Sequence, residues 1–104
     1  FISNTKMQAK TAKYWIEKLG LELLPFGIHA KEVYKSSDVI KKDGLPSRFA
    51  GDRIMGSTLF MLIQGKAKVG LHELKADELW SYYSGNTSIN IHQFNKEGKY
   101  VKHQ

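Results

Sequence analysis

The apolar positions of this chain change period once. Near the start they recur at helical spacing: Ala12, Trp15, Ile16 and Leu19 share one face, and Lys10, Lys13, Glu17 and Lys18 take the other. Thr5 followed three residues on by Gln8 has the form of a capping box, and Gly20 stands where a left-handed C-cap belongs. The pattern predicts a helix from about Thr5 to Leu19, with Trp15 packed. Beyond Gly20 the period shortens to that of strands. Leu21–Leu24 is an apolar run stopped by Pro25, which suits an edge or a strand start. Phe26–Ala30 reads as a turn, Lys31–Lys35 as a short strand, and Ser36–Asp52, with Gly44, Pro46 and Gly51, as a long loop, functional or mobile. Arg53–Gln64 gives the strongest strand signal, with Gly56 as a bulge and a nearly continuous apolar run that predicts burial on both faces. Ala67–Leu74, Glu78–Ser84, Thr87–Phe94 and a last strand from Tyr100 follow, separated by turns. One helix and about seven short strands predict a mainly β fold, an antiparallel sandwich or barrel behind an N-terminal helix.

Composition narrows this picture without redirecting it. The 104 residues make a single domain, with the helix at about 5–19 and the barrel part at about 21–104. A chain this short buries a core with little margin. Absence of cysteine removes disulfide frameworks, thiolate metal sites and cysteine nucleophiles. No apolar run approaches the ~18 residues that would span a membrane. Net charge is +6, but of 16 basic residues only Arg48 and Arg53 are arginine, and the lysines are scattered. Recognition of phosphates and bases favours the arginine fork. The charge therefore reads as a soluble basic surface rather than a nucleic-acid interface.

Chemistry concentrates between Gly65 and Gly85. Val69, Leu71 and Leu79 fall on odd positions; His72, Leu74, Glu78, Trp80 and Tyr82 fall on even ones. A hairpin turning at Lys75–Asp77 would bring His72 and Glu78 to one side, with Trp80 and Tyr82 beside them. That is the one constellation with the character of a site. The plain alternative is a hydrogen-bonded His–Glu pair inside a barrel, with Trp80 as core.

The order Tyr14-Trp15-Ile16, Leu19, Leu21, Pro25, Glu32-Val33-Tyr34-Lys35-Ser36, Thr58–Leu62 and then His72, Asp77-Glu78-Leu79-Trp80, Tyr83 and Gly85 resembles the cupin superfamily. Within it, the similarity is to the cupin-5 group, a domain of unknown function, and it covers roughly Ala12 to Gly98. The resemblance implies a jelly-roll, double-stranded β-helix barrel, commonly dimeric, similar to sugar-nucleotide epimerases and metal-dependent dioxygenases, with a ligand or metal held in the mouth. Gly65, His72, Glu78 and Gly85 fit the general cupin metal motif, except that Leu74 stands in the place of its second histidine. The cupin-5 group generally has one histidine there. Pro25–Ala30 replaces the His-Pro-Glu-Gly-Gly-like turn usual in the group, which alters one pocket wall. Family members normally continue for several more strands, so the barrel is expected to be incomplete at its C-terminus.

Three readings follow. In the first the chain binds a small polar molecule, sugar- or nucleotide-like, through His72, Glu78, Trp80, Tyr83, Glu32 and Tyr34. In the second it is an enzyme: either His72 with Glu78 as base and Tyr82 as acid, as the epimerase resemblance implies, with Tyr83 and Tyr34 as other candidate acids, or a divalent transition metal held by His72, Glu78 and His92, an incomplete set. No cofactor is otherwise implied. In the third the fold is kept without chemistry, as a structural or interaction protein. An open edge after Tyr100 predicts a homodimer, or completion of the barrel by a second chain segment, burying Thr87–Gln104.

Overall fold

Thr11 starts the helix. The computed structural model describes residues 10–65 and 67–104, so the Thr5–Gln8 capping box lies outside the described residues. Thr11 is extended (φ −77°, ψ 161°) and its hydroxyl accepts the Tyr14 N–H at 3.1 Å, so α1 runs Ala12–Leu19 rather than from Thr5. Gly20 (φ 65°) closes it: its N–H and that of Leu21 both donate to the Ile16 carbonyl, the latter at 3.0 Å. Trp15, Ile16 and Leu19 are half-buried, as the 3.6 period predicts, and α1 lies against the strand that spans Ser57–Leu62.

The described residues fall into two compact units, 10–79 and 80–104. In the first, a three-stranded antiparallel sheet holds β1 (Glu22–Leu23), β2 (His29–Lys35) and, on the other side of β2, the Ser57–Leu62 strand. A 3₁₀ turn, Pro25–Gly27, joins β1 to β2, and Leu24 N–H closes it onto the Ile28 carbonyl at 2.7 Å. His29 and Ala30 thus belong to β2 instead of the expected turn. Phe26 holds a left-handed φ of 76°, a conformation that costs a side chain with a Cβ about 1 kcal/mol. A bulge at Val33 shifts the register between Glu32, opposite Leu59, and Tyr34, opposite Thr58.

The stretch read as one long loop is structured. β3 (Val39–Ile40) pairs with β4 (Arg53–Ile54), and a 3₁₀ turn lies at Lys42–Gly44. Asp52 clasps the loop base, accepting the Lys42 N–H at 2.8 Å and pairing with Lys41 at 3.4 Å. The strand expected across Arg53–Gln64 is therefore two, β4 and β5 (Ser57–Leu62), broken at Met55–Gly56 because Met55 N–H turns to Asp38 and Gly56 C=O accepts Ser36 N–H. β5 is not buried on both faces: Phe60 and Leu62 are half-buried while Leu59 and Met61 are exposed. Among the described residues the buried apolar side chains are Leu21, Ile28, Ala30 and Phe49, all in this unit.

In the second unit β6 (His92–Phe94) and β7 (Tyr100–His103) form a hairpin around an Asn95–Gly98 turn, with Asn95 Oδ1 accepting the N–H groups of Glu97 and Lys99. The architecture is mainly β, one helix followed by antiparallel strands, and among the described residues the sheets do not close into a barrel. The strands expected at Ala67–Leu74, Glu78–Ser84 and the first part of Thr87–Phe94 do not form. Their alternation is real, but a strand exists only where a second backbone answers it, and here the Gly70 and Lys75 carbonyls are taken by side chains. Among the described residues no helix is long and apolar enough to cross a membrane.

Candidate functional site

The segment 67–79 forms no helix or strand, and it bends at Lys75–Ala76, where the hairpin turn was expected. Arg48 anchors it: Nε donates to the Lys75 carbonyl at 2.7 Å. Within it His72 folds back on its own backbone, Nδ1 lying 2.8 Å from the Gly70 carbonyl. A carbonyl oxygen only accepts, so Nδ1 carries the hydrogen and the Nε2 lone pair of the neutral ring is left to take a proton or a donor from outside. His72 and Glu78 are both exposed, not a pair inside a barrel, and Leu74, in the place of the second histidine, is exposed as well. Leu71 and Leu79 are exposed too, Leu79 at 97%.

The aromatic run lies at the start of the second unit, and it is exposed rather than core: Trp80 is 42% accessible, Tyr82 and Tyr83 more so. Tyr82 is held by its hydroxyl, which donates to the Thr87 carbonyl at 2.8 Å. This bridge explains Gly85. A Cβ at that position would stand 2.6 Å from the Tyr82 oxygen, so only glycine lets the phenol close over the turn. Tyr82, Gly85, Asn86, Thr87, Ser88 and Ile89 line an open hollow of about 510 Å³. The phenol proton that an acid role would need is committed to Thr87.

On β2, Glu32 lines an open groove of about 440 Å³ with Glu22, Leu24, Ala30, Lys31 and Leu59; Tyr34, beyond the bulge, is not among these residues. Pairing of β1 with β2 sets Glu22 opposite Ala30 and hence diagonal to Glu32, a proximity that sequence spacing alone does not reveal. His29, read as a loop residue, has a buried Nδ1 with no hydrogen-bond partner among the described residues.

His92 lies in β6 directly opposite His103, with the two rings stacked at 4.6 Å and 7°. Its Nδ1 is 3.1 Å from the Tyr100 hydroxyl, and His103 Nε2 donates to Asn90 Oδ1 at 2.9 Å. Among the described residues no group of three or more His, Asp or Glu side chains is placed to hold a metal ion. The donors present among the described residues do not fit a cupin metal centre.

Among protein families, the one described as Cupin superfamily (DUF985) has a model that matches residues 13–104. No curated protein and no solved structure matches the chain.

Proposed function

The chain belongs to the cupin superfamily, in its DUF985 group, and from that premise we propose that it binds a small polar molecule, sugar- or nucleotide-like, with His72 and Glu78 as its polar contacts. The observation that carries this reading is the His72 ring. Its Nδ1–H is spent on Gly70, so the ring is oriented by its own backbone and offers Nε2 as an acceptor for a ligand hydroxyl. Glu78, six residues on, supplies a carboxylate that accepts from hydroxyl or amide donors. Binding is favoured over turnover because the hydroxyl of Tyr82, the acid that an epimerase-like reaction would call on, is engaged as a donor to the Thr87 carbonyl.

Thermal unfolding in the presence of sugar nucleotides tests the reading. A ligand at a hundred times its Kd stabilises by about 2.7 kcal/mol, a shift of many degrees for a domain of this size. The shift is expected in the wild type and is expected to shrink in His72→Ala. An equal shift in both proteins, or none with any sugar nucleotide, overturns it.

A further inference from the structure

The chain's two arginines lie together on one ring. The Arg48 guanidinium carbon is 4.7 Å from the centre of the Phe49 ring, and that of Arg53 is 5.2 Å from the same point. Phe49 is 6% exposed and its N–H is held by the Pro46 carbonyl at 3.1 Å, so the ring is an anchored platform. Each arginine is placed by a second, separate contact. Arg48 Nε is fastened to the Lys75 carbonyl at 2.7 Å, and the Arg53 backbone is paired with Ile40 across β3 and β4. Sharing one ring puts the two cations within about 10 Å of each other, close enough to repel. Stacking on the ring offsets part of that repulsion but brings no negative charge.

Among the described residues neither guanidinium makes an ion pair, and Asp52, adjacent to Arg53, is turned instead to Lys41 and the Lys42 N–H. Among those residues no hydrogen bond uses the terminal NH₂ groups of Arg48 or any side-chain nitrogen of Arg53. Two positioned forks with unspent donors and uncancelled charge are what an oxyanion requires.

We propose that Arg48 and Arg53, set on Phe49, form an oxyanion site that takes the phosphate or carboxylate group of a small molecule. It stands apart from the reading of His72 and Glu78 and does not depend on it. Inorganic phosphate is the probe, titrated against the melting temperature of the whole chain, with chloride at matched ionic strength as the reference and acetate as a second arm. Phosphate is expected to raise the melting temperature saturably and beyond chloride. Acetate acting equally assigns a carboxylate-tolerant site, and acetate acting as chloride assigns phosphate. R48Q and R53Q are each expected to weaken the apparent affinity about tenfold, the effect of one lost charge-assisted hydrogen bond. The paired K41Q/K42Q variant is expected to keep the response. Because R48Q also cuts the tether to Lys75, R53Q carries the decision. A folded R53Q that responds as the wild type does overturns the proposal. So does a wild-type response no larger than that to chloride, or its loss in K41Q/K42Q.

Discussion

Nδ1 of His29 is buried and has no hydrogen-bond partner among the described residues, and Leu23 and Leu62 stand opposite His29 on the two flanking strands. An unsatisfied buried nitrogen costs about 1–3 kcal/mol, and a leucine of similar bulk would remove the cost while suiting those neighbours. His29→Leu is therefore expected to stabilise the fold by about 1 kcal/mol and to raise the melting temperature by roughly 4–8 °C. Circular dichroism melts read this directly, and an unchanged or lower midpoint means the nitrogen is satisfied in solution. Sequence gives no warning of the orphan, since it depends on which strands flank β2. The glycine at 85 is a different case. Its place in a family motif is visible in sequence, but its physical reason, the approach of the Tyr82 hydroxyl to Thr87, is a contact between side chain and backbone that no spacing reveals.

Helix and sheet were legible to different depths. The 3.6 period and Gly20 located α1, since helices are local and carry their own caps. β5 was legible from its apolar run, and β2 only in part, as the short strand Lys31–Lys35, although the two pair with each other. The segments Ala67–Leu74 and Glu78–Ser84 misled because alternation states which way side chains point, not whether another backbone lies alongside. His72 and Glu78 enter the proposal from alternation and motif spacing, which sequence alone displays. The clamp of Arg48 on Lys75, 27 positions apart, does not show there, because it is purely tertiary. The difference between paired and unpaired chain has a measurable consequence. β2 is hydrogen-bonded on both sides, to β1 and to β5, whereas 68–79 has no ladder partner among the described residues. Amide exchange is expected to be slowest along His29–Lys35 and nearly as fast as in free peptide along 68–79. Comparable protection in the two segments would mean that 68–79 pairs in solution.

At the scale of the whole molecule, the second unit poses the question of what its strands rest against. β6 and β7 form a two-stranded ladder whose outer edges have no partner among the described residues. Phe94 and Tyr100 meet edge to face at 5.3 Å, yet both remain exposed, as do Ile89 and Val101. An isolated hairpin is marginal in water, and open edges with apolar side chains recruit further strands. The expected partner is a second copy, joined by sheet extension or strand exchange over Thr87–Gln104. Light scattering should then give twice the chain mass of 11.9 kDa at micromolar concentration. With +6 on each copy, like-charge repulsion opposes association, so the dimer fraction should rise with added salt as the repulsion is screened. Val101→Lys puts a charge at the register irregularity of β7 and should return the protein to monomer without unfolding α1 and the β1–β2–β5 sheet, which circular dichroism would report. A monodisperse monomer across salt and concentration would show that the hairpin is stable on its own edges, and the interaction reading of this surface would fall.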